Sequence, residues 1–186
     1  MPFTVGQQFP TGVEFTHIPI QFNDLSLINP LKCDTTAKLN VDNLLQQLST
    51  SDKPLLVVVS VPGAFTPTCT ERHIPGYLSN LSKLTDKKVG AIIVLACNDA
   101  FVVNAWGKTL VKAYVKDVEN LPQIYFASDG GFSGQFELAA DRGGVFRNKR
   151  YATLVDSRDK TVKYFGVETE SGVHVSGVEN ILDAKL

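Results

Sequence analysis

The chain has 186 residues, of which 44% are hydrophobic and 20% are charged, and this size and composition predict one folded domain spanning residues 1–186. Its 18 Lys and Arg residues against 19 Asp and Glu residues give a formal net charge of −1, so there is no excess positive charge for a nucleic acid partner. The longest apolar stretches, 55–59 and 89–97, are far shorter than the roughly 18 to 20 residues of a membrane span.

The N-terminal half of the chain alternates amphipathic helices with apolar strands. The first ten residues lack the basic start and apolar stretch of a secretory signal, so we expect synthesis into a reducing compartment. Asn40 can cap a helix whose apolar residues recur at the helical period, and the same period predicts a helical segment from Ile74 to Leu84. The β-branched runs 55–61 and 89–96 are typical of strands buried on both faces of a mainly parallel sheet.

The C-terminal half continues this alternation. Its elements are predicted, in chain order, as a helix capped by Asp99, a strand at 123–127, a short helix from Phe132, and strands 151–156 and 161–167 that form a hairpin. Ser176 and Glu179 fit a capping box at the start of a last helix. This order predicts an α/β domain with a thioredoxin-like fold, in which helices flank a central mixed β-sheet.

Cys69 lies where the first buried strand turns into a helix, and its surroundings are chemically rich. Thr66 can serve as the N-cap and Pro67 as the first helical residue, whereas Thr68 with Glu71 offers a competing capping box. In either register the thiol sits in the first turn, where unpaired N–H groups favour the nucleophilic thiolate. A buried, inert cysteine is the alternative, but the polar neighbours are poor surroundings for an apolar core position.

A resemblance to a known family rests on this segment. The residues Pro62-Gly-Ala-Phe-Thr66-Pro-Thr-Cys69, followed by His73-Ile-Pro-Gly-Tyr77, resemble the peroxidatic-cysteine motif of peroxiredoxins. The similarity is to the type II branch, which includes fungal alkyl hydroperoxide reductases and peroxisomal peroxiredoxins, and similar segments run along almost the whole chain, at 98–101, 105–107, 127–129 and 150–156. The resemblance implies a thiol-specific peroxidase that reduces hydrogen peroxide and alkyl hydroperoxides in antioxidant defence.

The resemblance also implies roles for four residues. Cys69 would attack the terminal peroxide oxygen and become a sulfenic acid, while the Thr66 hydroxyl would hydrogen-bond the thiolate and the peroxide. Pro62 would shield the site. Arg150 would keep the thiolate ionised and stabilise charge on the leaving oxygen. Because two neighbours of Arg150 are also cationic, its assignment rests on the resemblance and not on spacing.

The three cysteines leave the reductive half of the cycle open. Cys33, in a polar segment beside Lys32, is the better candidate to resolve the sulfenic acid as a disulfide, with thioredoxin as reductant. Some fungal relatives resemble this chain in having a cysteine here that bridges to the partner subunit. Many relatives carry the resolving cysteine late in the chain, but this sequence has none after Cys97, so a one-cysteine cycle with glutathione is the alternative. Cys97 ends a buried strand and is interpreted as structural.

No cofactor and no metal are expected. The three Cys and three His residues lack the close paired spacings of structural zinc sites, and there is no phosphate-binding or dinucleotide-binding fingerprint. His73 lies one helical turn after Cys69 and could face the thiol, but residues at this spacing often only pack or hydrogen-bond. The alternative to an enzyme is a non-catalytic thioredoxin-like module for redox binding or chaperoning.

The remaining expectations concern assembly and location. The resemblance favours a homodimer. Residues Ala184-Lys185-Leu186 match the S-K-L type of peroxisomal address, so we expect an import receptor as partner and a peroxisomal location, with the cytoplasm as a second one. A frayed last helical turn is the alternative interpretation of these residues.

Overall fold

The computed structural model describes residues 3–186, so Met1 and Pro2 of the predicted domain lie outside the described residues. The strands are β1 (Glu14–His17), β2 (Ala37–Asn40), β3 (Leu55–Val61), β4 (Val89–Ala96), β5 (Gln123–Ser128), β6 (Ala139–Asp141), β7 (Phe146–Asn148), β8 (Tyr151–Asp156) and β9 (Thr161–Val167). The α-helices are α1 (Val41–Ser49), α2 (Ile74–Leu78), α3 (Leu81–Asp86), α4 (Ala100–Tyr114), α5 (Phe132–Gln135) and α6 (Val178–Asp183). A 3₁₀ turn covers Leu25–Leu27, and a π-helical turn, Cys69–His73, leads into α2.

Seven of these strands form one mixed sheet, in the order β2-β1-β5-β4-β3-β8-β9, while β6 and β7 pair separately. The central strands β3, β4 and β5 are parallel, with Val59 opposite Val94. The pairs on either side are antiparallel, with Val57 opposite Leu154 between β3 and β8. The predicted mixed sheet flanked by helices is therefore confirmed, as is the hairpin of β8 and β9.

The residues of β3 alternate between two hydrophobic cores. Val57 and Val59 face the core that is completed by α2, α3, α4 and α6, whereas Leu56 and Val58 face the core that contains α1. Every residue of β3 and β4 is buried, which explains why both strands read as continuous apolar runs. Burial on both faces fixes the carboxyl end of β3, from which the segment with Cys69 departs.

The predicted helix caps at Asn40 and Asp99 are confirmed, whereas the one at Ser176 is wrong. The side chain of Asn40 accepts a hydrogen bond from a backbone N–H of α1, and that of Asp99 accepts two from α4. The last helix begins at Val178 and not at Ser176. The Ser176 hydroxyl does not cap it, because this group donates a 2.7 Å hydrogen bond to Oε1 of Glu168 instead.

Several elements differ from the sequence prediction. The helical segment predicted over 74–84 is divided into α2 and α3. The strands β1, β2, β6 and β7 were not expected, because three or four residues are too few to establish an alternating pattern. Within residues 3–186, no helix combines the length and apolar character needed to cross a membrane.

Candidate active site

The loop that leaves β3 becomes helical at Pro67. Thr66 therefore occupies the predicted N-cap position, and the competing start at Thr68 is wrong. Within residues 3–186, however, the Thr66 side chain accepts no hydrogen bond from a backbone N–H of the helix, so the predicted side-chain cap is not formed. The carbonyl of Thr66 accepts the N–H of Thr70 at 2.9 Å, and its hydroxyl donates to the carbonyl of Gly63 at 2.8 Å. The Thr66 side chain thus forms a hydrogen bond within its own loop. The lone pairs of its oxygen remain able to accept a further hydrogen bond.

Cys69 begins a π-helical turn and not an α-helical one. The N–H of Ile74 donates to the carbonyl of Cys69, five residues back. Pro75, the next residue, has no N–H for the carbonyl of Glu71. π-helical turns are less stable than α-helical ones, so the backbone around Cys69 is a local weak point in the helix. Such turns are often found at functional sites.

Cys69 is completely buried, with 0% of its surface exposed. Among residues 3–186, neither Thr66 nor Arg150 is hydrogen-bonded to its Sγ: the Thr66 hydroxyl donates to Gly63, and Nη1 of Arg150 donates to His73. The burial expected of an inert cysteine is therefore present, together with the helix start expected of a reactive one.

His73 brings Arg150 to the helical segment that carries Cys69. Nη1 of Arg150 lies 3.1 Å from Nδ1 of His73, and Nε2 of His73 lies 2.8 Å from the carbonyl oxygen of Ser176. The pKa of His73 is lowered to about 4, mainly by burial; the Arg150 charge acts in the same direction, and the hydrogen bond to Ser176 and the Glu168 charge oppose the shift. The neutral ring therefore donates from Nε2 and accepts at Nδ1.

Glu168 holds the segment against which His73 is placed. Its Oε1 accepts three consecutive backbone N–H groups, those of residues 174–176, at 2.7 to 2.8 Å, and also the Ser176 hydroxyl. Burial alone would raise the pKa of Glu168, but these hydrogen bonds outweigh burial and lower it. The backbone N–H of Glu168 donates to the carbonyl of Arg150 at 2.9 Å. Arg150, His73, Ser176 and Glu168 therefore form a closed ring of contacts.

A cleft with a cavity volume of about 460 Å³ opens beside this network. Pro62, Thr68 and Arg150 line it on the side of the helix start, so it borders two of the four predicted site residues, Pro62 and Arg150. Its other walls come from the β6–β7 hairpin and from residues 168–172. A small molecule in this cleft would lie next to the residues that surround Cys69.

The other two cysteines occupy different settings, and all three are free thiols. Cys33 is exposed, as expected from its polar segment. Cys97 is only partly buried, and its Sγ donates to the carbonyl of Pro62 at 3.2 Å. Cys97 therefore contacts the loop of the predicted site, which its interpretation as an ordinary core residue did not anticipate.

Comparison with known proteins identifies the family. Residues 4–182 match the family model described as Redoxin. Peroxiredoxin AHP1 of Chaetomium thermophilum is 34% identical over 183 residues, covering 97% of this chain and 94% of that protein. A protein of Lipomyces kononenkoae named as a peroxisomal peroxiredoxin is 38% identical over 186 residues, covering 95% and 98%. The chain is a peroxiredoxin of the Redoxin family.

Solved peroxiredoxin structures share this fold. Reduced Prx3 from Vibrio vulnificus, determined in complex with hydrogen peroxide, is 29% identical, aligns over 97% of each chain and has a TM-score of 0.72. The thioredoxin-like fold is therefore confirmed. Membership of the peroxiredoxins also establishes the general activity, which is the reduction of peroxides by a thiol in antioxidant defence.

Sequence reasoning missed part of the network in this peroxiredoxin. For His73, the hydrogen-bonding interpretation is correct, but the sequence does not show that Arg150 is its partner. Glu168 carries no sequence signal, because a carboxylate near the end of a strand is usually solvated. Only the folded chain brings its side chain to the N–H groups of residues 174–176.

Proposed function

We propose that this peroxiredoxin reduces hydrogen peroxide and alkyl hydroperoxides through Cys69, with Thr66, Arg150 and Pro62 completing the site. The observation that carries the proposal is the 3.1 Å contact between Arg150 and His73. It holds a guanidinium group beside the helix whose first turn contains Cys69, although the two contacting residues are 77 positions apart in the chain. A cation held against the helical segment that begins with a cysteine favours the thiolate, the form in which a cysteine acts as a nucleophile.

The first step oxidises Cys69. Its thiolate attacks the terminal oxygen of the hydroperoxide, an S–O bond forms, the O–O bond breaks, and the leaving oxygen takes up a proton to become an alcohol or water. The guanidinium of Arg150 stabilises the charge that develops on the leaving oxygen. The Thr66 oxygen can accept the O–H of the peroxide, because its own hydrogen is directed to Gly63. Pro62 limits the access of water.

The second step resolves the sulfenic acid. The exposed thiol of Cys33, from a second copy in a homodimer, attacks the Cys69 sulfur, so that a disulfide forms and water leaves. A reduced thioredoxin then exchanges its two thiols for this disulfide and restores both cysteines. Glutathione acting directly on the Cys69 sulfenic acid is the alternative within the same enzyme class.

Resolution requires Cys69 to leave its buried position. With no exposed surface, its sulfur has to be released by opening of the π-helical turn Cys69–His73. The π-type hydrogen bonding and the missing N–H of Pro75 make this turn easier to open than a regular helix.

The test is to treat the reduced protein with one equivalent of hydroperoxide and to locate the oxidation by non-reducing peptide mass spectrometry. A Cys33–Cys69 disulfide that disappears in Cys33→Ser and persists in Cys97→Ser would support the two-cysteine cycle. Sulfenic or sulfinic acid confined to Cys69 would support the glutathione cycle. Slow oxidation of all three cysteines to a similar extent would overturn the assignment of Cys69.

We further propose a peroxisomal location, supported by the name of the Lipomyces kononenkoae relative. Lys87 donates to the carbonyls of Leu182 and Ala184 at 2.8 Å, while Lys185 and Leu186 are exposed and accessible to a receptor. An N-terminally tagged protein should reach peroxisomes and should stay in the cytosol without residues 184–186. Unchanged import after the deletion would exclude this address.

A further inference from the structure

Four cationic side chains converge on the cleft beside the proposed active site. One is Arg150, and the other three come from the β6–β7 hairpin and the segment after it: Arg142, Arg147 and Lys149. We call these three residues the cationic rim. Two carboxylates, Glu168 and Glu170, line the same cleft, so four positive charges face two negative ones and the cleft has an excess of two positive charges.

The side chains of the rim are unpaired within residues 3–186. In the described part of the chain, its three side chains form no ion pair and no side-chain hydrogen bond, whereas a buried cation such as Lys108 is bonded to both a carbonyl and a carboxylate. The two carboxylates that line the cleft are not paired with the rim: Oε1 of Glu168 accepts four hydrogen bonds from residues 174–176, and Glu170 is exposed to solvent. Unpaired cations that share a concave surface are suited to bind an anion.

The rim is also fixed in place. Asn148, between two rim residues, is buried and donates to the hydroxyl of Ser60 at 2.9 Å. The backbone N–H of Lys149 donates to the carbonyl of Leu138 at 2.7 Å, and that of Arg142 donates to Val145 at 2.9 Å. The cations therefore project from a backbone anchored to the central sheet.

Arg147 reaches the loop that precedes Cys69. A Cβ at Gly63 would lie 2.7 Å from Nη1 of Arg147, so the missing side chain of Gly63 makes room for this guanidinium. Arg147 thus adjoins the loop that leads to Thr66, and Arg150 lines the same cleft, so a ligand held there would lie close to the segment that carries Cys69.

We propose that the cationic rim binds the carboxylate of an organic hydroperoxide, and that carboxylate-bearing hydroperoxides are the preferred substrates of this enzyme. The proposal rests on the proposed function, because it assigns the ligand of the cleft to the step at Cys69. Val145 and Phe146 on the same hairpin are 49% and 63% exposed, and they offer apolar surface for the hydrocarbon part of such a molecule.

The test compares a hydroperoxy fatty acid with its methyl ester, in which one methyl group removes the negative charge, and uses hydrogen peroxide as the third substrate. Single-turnover peroxide consumption by the reduced protein gives a rate constant for each. We expect the acid to react about tenfold faster than the ester. Arg147→Met and Lys149→Met should each slow the acid about fivefold, and should change the ester and hydrogen peroxide less than about twofold.

Two control variants are needed. One tests whether the charge of a rim side chain matters more than its shape, and the other tests whether the net charge of the whole protein matters. Arg147→Lys keeps the positive charge and should retain most of the preference for the acid. Lys112→Met removes one exposed positive charge from α4, outside the cleft, and should leave all three rates unchanged. The preference of the wild type should shrink in about 0.5 M salt, because the screening length falls to a few ångströms.

Equal rates for acid and ester in the wild type would overturn the proposal, as would an Arg147→Met variant that slows all three peroxides alike. If the rim variants changed only the reduction of oxidised Cys69 by glutathione, which also carries carboxylates, the rim would serve the reductant and the substrate assignment would be wrong. Failure of the proposed function is distinct, because the wild type would then consume none of the three peroxides faster than Cys69→Ser.

Discussion

Arg150 donates a hydrogen bond from Nη1 to Nδ1 of His73 over 3.1 Å. The second nitrogen of the ring is engaged by the carbonyl of Ser176, so neither nitrogen of His73 is free to take up a proton from a substrate. His73 is a positioning residue in the proposed mechanism, because it orients the guanidinium of Arg150 and does not touch the peroxide.

Replacing His73 should therefore impair catalysis through Arg150. His73→Phe keeps a ring but removes the acceptor for Nη1, and we expect kcat/KM for hydrogen peroxide to fall about tenfold, since small misplacements of catalytic groups are costly. His73→Gln, which retains an acceptor, should recover part of the rate. The matched control is Tyr77→Phe, which also loses a bond to the Ser176 carbonyl without touching Arg150. If Tyr77→Phe lost as much activity as His73→Phe, positioning of Arg150 would not be the cause.

His73 should also make stability depend on pH. The pKa of the buried ring is lowered to about 4, against about 6.5 in the unfolded chain. Below pH 6.5 the unfolded chain binds a proton that the folded ring does not bind until about pH 4, so stability is lost as the pH falls through this window. We expect a loss of roughly 2 kcal/mol between pH 7 and pH 5 from this residue. Urea unfolding of the wild type and His73→Gln should show a smaller pH dependence in the variant, and equal slopes would contradict the prediction.

The proposed nucleophile and its two polar neighbours should differ in the severity of their variants. Cys69→Ser should abolish peroxide consumption, because no other thiol occupies the helix start. Thr66→Val and Arg150→Met should each lower kcat/KM by about 10² to 10³, the range seen when one group that stabilises a transition state is removed. Thr66→Ser keeps the hydroxyl and should retain activity within about tenfold of the wild type. Substantial peroxidase activity in Cys69→Ser would end the assignment of Cys69.

The sequence was most informative where local pattern and tertiary structure agree. The bounds of β3 and β4 follow from β-branched runs buried on both faces, and the Asn40 and Asp99 caps are local contacts. Ser176 shows the opposite case, since the carboxylate of Glu168, eight residues earlier and just after β9, takes the hydroxyl that the sequence assigns to a helix cap. The Arg150–His73 contact could not be predicted either, because it joins residues that only the sheet and its connections bring together. The π-helical turn depends on packing around Cys69 as well as on Pro75, and periodicity alone does not reveal it.

Lys108 should govern the resolving step. Its buried Nζ donates to the carbonyl of Lys32 at 2.8 Å and to Asp34 at 3.3 Å, the two residues on either side of Cys33. Lys108→Met should release this segment, so that disulfide formation slows several-fold while the oxidation of Cys69 keeps its rate. Excess peroxide should then drive more Cys69 to sulfinic acid, which intact-mass spectrometry detects. Lys32→Met, which removes only an exposed ion pair with Asp34, is the control and should behave like the wild type. A slower first step in Lys108→Met would point to a general structural effect.

Trp106 should report the chemistry of Cys69 optically. It is the single tryptophan of the chain and fully buried, and its indole N–H donates to the hydroxyl of Thr70, the residue after Cys69, at 3.1 Å. Oxidation of Cys69, and opening of its turn for disulfide formation, should disturb this bond and change the tryptophan emission.

Stopped-flow mixing with hydroperoxide should therefore show two phases of fluorescence change. The first reports sulfenic acid formation, with a rate proportional to the peroxide concentration, and the second has a rate that is independent of the peroxide concentration. Cys33→Ser should lose only the second phase, Cys69→Ser should show neither, and Thr70→Val should reduce both amplitudes without changing the first rate. A fluorescence change of normal size in Cys69→Ser would mean that the signal comes from elsewhere in the protein.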